Sequence, residues 1–376
     1  MKERRSLYLV FAICTLIFLP SCGDGGTLSL GLTDASTADY KAVYVTISQV
    51  KVQMPEGYWK VVGTPNKTYN LLDLVNGVRE EIGITGLDAG EYTEMLLLIG
   101  DTSDGGINIL SIQHPYANYV IDLNDADHEL KIPSGFQTGV EIFQAFTIGE
   151  YQITNLTLDF NASESVVVGG NSGTWLLKPR IKVLNNREYS IVSGTVDDGA
   201  GSLLPGVLVS VQRSDTSASD PTDQELTEAS TVTDENGQFK LFINPGTYTL
   251  VVYGASYNPG VGCSLSLTKG QVTEAQDFVL NAASTGSVSG DVSIADAEVD
   301  QHATISFRQA VDCDGDGTGE TAIEVRFVNV INGGSYSVTL PVGSYELVAS
   351  SYAKTTRSFV VNVVANADTS APVDLL

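Results

Sequence analysis

The chain has 376 residues and a formal net charge of −25 at pH 7. This charge excludes nucleic acids and anionic membranes as partners bound by electrostatic attraction, because a phosphate polyanion would be repelled. With 43% hydrophobic and 17% charged residues, the chain is globular rather than disordered.

Residues 1–26 have the pattern of an export signal. A basic start at 1–5 precedes an apolar run at 7–19 and a small-residue cleavage site, Pro20-Ser21-Cys22. A short basic segment, an apolar core and such a site are typical of a secretory signal peptide. The cysteine after the site, followed by a Gly/Asp-rich stretch, resembles the lipobox of bacterial lipoproteins. Pro20 departs from that motif, which has a small or aliphatic residue there.

The lipobox resemblance implies cleavage after residue 21 and acylation of Cys22, with residues 22–27 forming a lipid anchor and flexible tether. An ordinary signal peptide with an incidental cysteine is the alternative. The lipid would then be the contact with the membrane, since no other apolar stretch reaches the roughly 18–20 residues that a spanning helix needs. Gly23 is not the aspartate of an inner-membrane retention signal. We therefore expect an exported protein, lipid-anchored to the bacterial envelope at the outer membrane or cell surface.

Two cysteines remain beyond the signal and Cys22. Cys263 and Cys313 can pair in an exported protein or stay as two free thiols, and their spacing alone favours neither outcome.

Residues 28–185 are predicted to form one β domain. Runs such as 28–32, 42–47 and 156–160 alternate with the two-residue period of half-buried strands. Turn signals such as Asn76-Gly77 separate them. Four segments, at 32–47, 69–74, 133–139 and 177–181, resemble an uncharacterised domain family that is common in bacterial lipoproteins. The resemblance implies an exported, sandwich-like β domain and no particular activity.

An internal repeat begins near residue 190. Ser193-Gly194-Thr195-Val196 returns as Ser289-Gly290-Asp291-Val292, and Asn236-Gly237 returns as Asn332-Gly333. The period of about 96 residues is that of a small β-sandwich rather than a solenoid turn. The sequence therefore predicts two tandem modules, at 190–282 and 286–376.

The first module resembles the carboxypeptidase regulatory-like domains, through Pro205-Gly206-Val207, Asn236-Gly237 and Pro245-Gly246-Thr247-Tyr248. The resemblance implies a seven-stranded, prealbumin-like sandwich. The second module keeps the Asn-Gly and Gly-x-Tyr steps but lacks the Pro-Gly-Val entry. The predicted fold class is therefore all-β, with three β-sandwich-type domains in tandem after a cleaved signal.

An acidic loop at residues 312–320 is the most specific local motif. Its alternating carboxylates and glycines resemble calcium loops of the Asp-x-Asp-x-Asp-Gly type, because a hard cation prefers oxygen ligands. That resemblance assigns as Ca²⁺ ligands Asp312, Asp314, Asp316, the Thr318 carbonyl and Glu320. Ile323 stands where an EF-hand has its bidentate glutamate, and no flanking helices are predicted. A solvated acidic hairpin is the alternative.

The sequence gives little support to the hypothesis that the protein is an enzyme. His114, His128 and His302 lie in no metal-binding spacing, and the first two read as turn or surface residues. Ser172, in Gly170-Asn171-Ser172-Gly173, superficially resembles a serine-protease nucleophile segment but reads better as a hairpin turn. A hydrolase is therefore disfavoured.

The sequence favours a non-catalytic binding or structural role at the envelope, in adhesion or assembly with a protein partner. The alternative is a carbohydrate-binding lipoprotein of a glycan-handling system. Aromatic residues in or beside predicted loops could stack on sugar rings: Trp59, Tyr116, Tyr119, Tyr253, Tyr257 and Tyr352.

The acidic loop leads to a calcium prediction. Crowded carboxylates repel one another in the empty loop, and a bound cation removes that repulsion. Calcium that binds only the folded state adds about 1.4 kcal/mol to the free energy of unfolding when its concentration is ten times Kd. Millimolar calcium should raise the melting temperature of a fragment spanning 286–376 by a few degrees. The double change Asp314→Asn, Asp316→Asn should abolish this response and leave the metal-free melting temperature equal or slightly higher. A titration that gives neither calcium heat nor a melting shift would leave the acidic hairpin.

Overall fold

The computed structural model describes residues 25–35, 37–133, 138–169, 173–185, 189–215, 217–274, 276–313 and 321–376. Strands dominate these residues, which confirms the predicted all-β class. Within the described ranges, helical structure is confined to α1 (Ala162–Ser165), α2 (Pro221–Gln224) and a 3-10 turn at Leu71–Asp73. No helix in the described ranges is long and apolar enough to cross a membrane.

The described residues of the first domain form thirteen strands. They are β1 (Gly25–Ala35), β2 (Tyr40–Gln53), β3 (Trp59–Gly63), β4 (Lys67–Asn70), β5 (Glu80–Asp88), β6 (Gly90–Ile99), β7 (Tyr119–Asp122), β8 (Asp127–Lys131), β9 (Val140–Ile148), β10 (Ile153–Asn161), β11 (Val166–Gly169), β12 (Thr174–Leu177) and β13 (Ile181–Asn185). One sheet has the order β13-β10-β1-β5, and the other contains β11-β12-β8-β7-β2-β6-β9. A core cluster fills the domain, with Leu28, Leu30 and Leu32 of β1 fully buried.

Strand β1 begins at Gly25, so residues 25–27 are not part of a flexible tether as the sequence had suggested. Thr27 pairs with Gly86 of β5 on one side and Ile153 of β10 on the other. Glycine is required here by close packing rather than by flexibility, because a Cβ on Gly26 would lie 2.3 Å from the Gly149 carbonyl oxygen.

The remaining strands form two further units of eight. The second domain has β14 (Ser190–Asp197), β15 (Leu208–Ser214), β16 (Glu225–Val232), β17 (Gln238–Ile243), β18 (Gly246–Tyr253), β19 (Gly260–Leu267), β20 (Val272–Thr273) and β21 (Phe278–Val279). The third has β22 (Thr285–Ile294), β23 (His302–Val311), β24 (Thr321–Ile331), β25 (Ser335–Pro341), β26 (Gly343–Ser350), β27 (Arg357–Val363), β28 (Asp368–Ser370) and β29 (Val373–Leu375).

These two units share one topology, strand for strand. In the second domain β14 pairs with β17, β20 and β21, opposite a sheet of order β16-β15-β18-β19. In the third, β22 pairs with β25, β28 and β29, and the facing strands run β24-β23-β26-β27. The repeated Ser-Gly marks a close crossing in both, since a Cβ would lie 2.0 Å from the Gln276 carbonyl oxygen at Gly194 and 2.3 Å from that of Ala371 at Gly290.

The third domain is joined to the first through a continuous sheet. Strand β24 pairs in parallel with β11, with Val330 opposite Val168. The combined sheet has thirteen strands and runs from β27 to β9. The two domains therefore share backbone hydrogen bonding as well as side-chain contacts.

A buried tyrosine closes the same corner in all three domains. Each follows a glycine by two residues, and each is almost fully buried. The hydroxyls donate to carbonyl oxygens four residues upstream: Tyr92 to Asp88 at 2.9 Å, Tyr248 to Asn244 at 3.0 Å and Tyr345 to Pro341 at 2.9 Å. The Gly-x-Tyr steps in the sequence therefore mark one structural device.

We predict that Tyr345→Phe destabilises the protein by about 1 kcal/mol, because it removes this hydrogen bond and leaves the buried Pro341 carbonyl without its donor. Thermal unfolding measures the loss. Tyr352→Phe is the control, since that side chain is 80% exposed, and it should change stability by less than about 0.5 kcal/mol. Equal effects of the two substitutions would show that the hydrogen bond of the Tyr345 hydroxyl does not stabilise the protein.

Candidate functional site

Two neighbouring cavities lie where the three domains meet. The first, of about 270 Å³, has aromatic walls, and we name it the aromatic cavity after Tyr40, Trp175, Phe327 and Tyr336. The second, of about 450 Å³, is named the hydroxyl cleft after Thr222, Thr227, Thr304, Ser306 and Ser350. Both are lined by Thr227, Glu324, Phe327 and Asn329. Concave sites of this kind at domain interfaces are where ligands usually bind.

Strand β24 is held to the second domain by a buried glutamine. The Gln212 side chain, 1% exposed, donates from Nε2 to the Glu324 carbonyl oxygen at 2.6 Å and accepts from the Glu324 amide at 2.9 Å. The side-chain amide of Gln212 thus makes the same pair of hydrogen bonds that the backbone of a neighbouring strand would make. The second domain thus docks on β24 without contributing a strand.

The base of the hydroxyl cleft is a closed polar network. Glu324 accepts from the Ser306 hydroxyl at 2.6 Å and from the Thr227 hydroxyl at 3.0 Å. The buried Arg308 donates to the Ser306 hydroxyl at 3.1 Å and to the carbonyl oxygens of Pro221, at 2.5 Å, and Thr222, at 3.4 Å. Arg308 therefore fixes the short helix α2 of the second domain against β23 of the third.

The aromatic cavity contains an ion pair between the first and third domains. Asp39 accepts from the guanidinium of Arg326. Burial lowers the pKa of Arg326 to about 10, so it stays charged at physiological pH. The side chain of Tyr40, the residue after Asp39, packs edge-on against Trp175 with ring centroids 5.9 Å apart.

The hydroxyl cleft balances charges of both signs. Arg180, Lys182 and Arg308 line it together with Glu164, Glu228 and Glu324. Lys182 and Glu228 pair at 3.4 Å between the first and second domains. Burial raises the pKa of Glu164. This mixture suits a neutral ligand whose hydroxyls both donate and accept better than it suits a strongly charged one.

His302 also lines the hydroxyl cleft, and it is neutral at physiological pH. Burial, together with the positive charges of the neighbouring Lys178 and Arg180, lowers its pKa to about 4. The Lys178 Nζ lies 3.1 Å from His302 Nδ1, and burial lowers the pKa of this lysine as well. His302 therefore adds no positive charge to the hydroxyl cleft near pH 7.

The predicted calcium ligands and the acylation site lie mostly outside the described residues. Cys22, Asp314, Asp316, Thr318 and Glu320 fall there, as does Ser172. Asp312 is described and exposed. Elsewhere in the described part of the chain, no three His, Cys, Asp or Glu residues are grouped so that they could hold a metal ion.

Cys263 and Cys313 are joined by a disulfide, with their Cα atoms 5.7 Å apart. The bond links β19 of the second domain to the segment that follows β23 of the third. It therefore adds a covalent connection between two domains that also share the Gln212 contact.

Two histidines, His114 and His128, do not lie in the turn or surface positions predicted for them from the sequence. His114 is not on the surface: its side chain is 4% exposed and its Nδ1 lies 2.7 Å from the Tyr119 hydroxyl. His128 lies in β8, not in a turn, and stacks on Trp175 at 4.3 Å. Periodicity did not identify either position, because both rings pack against aromatic side chains far along the chain, His114 against Tyr44 at 4.9 Å and His128 against Trp175.

The aromatic residues predicted from loops do not form one site. Tyr119 and Tyr253 are buried, and the Tyr253 hydroxyl donates to the Thr339 carbonyl oxygen at 2.7 Å. Tyr116 and Tyr352 are exposed in different domains. The aromatic cavity instead draws on Tyr40, Trp175, Phe327 and Tyr336, none of which has a local sequence signal for this role.

We predict that Gln212→Leu destabilises the protein by about 2–4 kcal/mol, because the Glu324 amide and carbonyl groups lose their partners in a buried interface. Chemical denaturation measures the loss. Gln144→Leu is the control, since the Gln144 side chain is exposed and its hydrogen bond is to the neighbouring Ala145 carbonyl oxygen. A loss at Gln212 no larger than that at Gln144 would show that the docking contact is dispensable.

Several solved structures share limited similarity with the chain. The TIE protein of Bacillus anthracis is 14% identical, with a TM-score of 0.21, and the match covers 94% of this chain and 51% of that one. This chain thus spans about half the length of that protein. A streptococcal ancillary pilin is 11% identical, with a TM-score of 0.20 and coverage of 93% and 99%. The minor pilin GBS52 of Streptococcus agalactiae is 11% identical, with a TM-score of 0.18 and coverage of 50% and 96%.

Two domain families match parts of the chain. No curated protein matches the chain. Residues 25–179 match the family described as Domain of unknown function (DUF4382), and residues 191–281 match the Carboxypeptidase regulatory-like domain. The order predicted from the sequence is confirmed: the chain combines a DUF4382 domain with a carboxypeptidase regulatory-like domain that follows it.

Proposed function

We propose that this protein is a lipid-anchored, non-catalytic envelope protein that presents its β domains for adhesion or assembly. The lipobox-like site at Cys22 supports the anchor and the export. The regulatory-like family match supports a non-catalytic role, because domains of this kind are not themselves enzymes.

The main support for this proposal is that the three domains are joined to one another around strand β24. A shared sheet, the Gln212 docking contact, the Asp39–Arg326 pair and the Cys263–Cys313 disulfide connect them. A surface module that holds a partner away from the membrane must transmit force between its domains without unfolding them. Linked domains of this kind fit that requirement better than domains on flexible linkers.

Anchoring and adhesion can be tested together in cells that display the protein. We predict that Cys22→Ala moves the protein into the aqueous phase of a detergent extraction and lowers cell attachment to the level of a deletion strain. Ser21→Ala is the control, since it keeps the cysteine and a small residue before it. Membrane retention of the Cys22 variant would contradict the anchor, and unchanged attachment after deletion would contradict adhesion.

Carbohydrate binding is the second candidate, and the hydroxyl cleft is the observation that favours it. Five hydroxyl-bearing side chains, Asn329, paired charges of both signs and the Phe327 ring surround one space. Sugar hydroxyls both donate and accept hydrogen bonds, and aromatic rings pack against the C–H faces of sugars. A neutral oligosaccharide would therefore satisfy these walls.

We predict that calorimetric titration with a panel of neutral oligosaccharides gives saturable binding that Ser350→Trp abolishes, because the larger side chain fills the cleft. Val360→Trp is the control: Val360 is 67% exposed in the same domain and does not line the cleft. Binding that survives Ser350→Trp, or a panel without any binder, would remove this candidate.

A further inference from the structure

The distance between the proposed lipid and the first strand is very short. Only Gly23 and Asp24 separate Cys22 from Gly25, where β1 begins. Three Cα–Cα steps reach at most about 11 Å. The headgroup layer of one leaflet is itself roughly 5–7 Å thick. An acylated Cys22 would therefore hold the start of β1 against the headgroups.

The residues around Gly25 form the part of the protein surface that would face the membrane. Gly25 pairs with Asp88 of β5, and its carbonyl oxygen accepts from the Tyr151 amide at 3.0 Å. The Asp88 carbonyl oxygen accepts from the Tyr92 hydroxyl, and Lys60, two residues after the turn at 54–58, donates to the Gly86 carbonyl oxygen at 3.0 Å. Three turns, at 54–58, 88–90 and 149–152, therefore surround the exit of the tether, and we name them the anchor face.

Two exposed tyrosines project from the anchor face. The Tyr58 side chain is 55% exposed and that of Tyr151 is 78% exposed. Tyr151 has a φ of 55°, a conformation that costs a non-glycine residue energy, and the hydrogen bond to Gly25 fixes it there. Tyrosine is enriched at membrane surfaces because its ring is apolar and its hydroxyl is wet.

The charge of the anchor face selects the kind of membrane. Glu56, Asp88 and Glu150 are exposed on it. Lys60, a basic residue near this end, donates to the Gly86 carbonyl oxygen at 3.0 Å. Acidic side chains near a bilayer are repelled by anionic lipids. The occupant that fits the face is a zwitterionic headgroup surface.

We infer that the anchor face rests directly on the bilayer, with the rings of Tyr58 and Tyr151 among zwitterionic headgroups. The inference depends on the proposed lipid anchor. The lipid supplies the affinity, and the short tether together with the two tyrosines fixes which end of the first domain faces the membrane.

Spin labelling of the acylated full-length protein tests the inference. With Cys14 lost with the cleaved signal peptide, Cys22 acylated and Cys263 bonded to Cys313, a new cysteine is the single labelling site. A nitroxide at Glu150→Cys, in phosphatidylcholine vesicles, should collide with an aqueous nickel chelate several-fold less often than one at Val299→Cys, where the native side chain is 93% exposed. Equal collision rates would overturn the inference. Mass spectrometry of the same sample reports acylation, so loss of the anchor is distinguished from loss of the membrane contact.

Two further variants separate the tether from the tyrosines. A twenty-residue Gly/Ser insertion after Asp24 gives a root-mean-square reach of about 25 Å and should raise nickel access at residue 150 to the Val299 level. The change Tyr58→Ser, Tyr151→Ser should raise nickel access partway. Full protection that persists in both variants would overturn the inferred contact.

Discussion

Strand β24 is the element on which the arrangement of the domains depends. Its backbone pairs with β23 along its length and with β11 at Val330. The Gln212 side chain forms hydrogen bonds with the backbone amide and carbonyl groups of Glu324. Buried backbone polar groups need partners, and each unmet one costs about 1–3 kcal/mol. All three domains therefore help to satisfy one strand, and the two junction cavities are the space left between their side chains.

Sequence patterns predicted the parts of the fold that depend on local geometry. Gly237 and Gly333 have positive φ angles at the repeated Asn-Gly steps, as a tight hairpin requires. Gly194 and Gly290 sit where a strand crosses too closely for a side chain. These constraints recur in each copy, so an internal repeat of about 96 residues could be identified from the sequence.

The junction could not be predicted in the same way. Gln212, Glu324 and Arg308 are unremarkable in their own segments, and their roles arise from contacts between residues about 90–110 positions apart. Gly25 and Gly26 suggested a flexible tether because glycine has the same sequence signal in a loop and in a close strand contact. His114 was misread for a related reason, since its partner Tyr119 is buried by side chains of other strands.

Because they share β24, the three domains should unfold as one body. Differential scanning calorimetry of the intact protein tests this by comparing the calorimetric enthalpy with the van't Hoff enthalpy. We expect one transition with a ratio of the two enthalpies near one. Two or more separate transitions, with a calorimetric enthalpy well above the van't Hoff value, would show that the domains unfold independently and would contradict it.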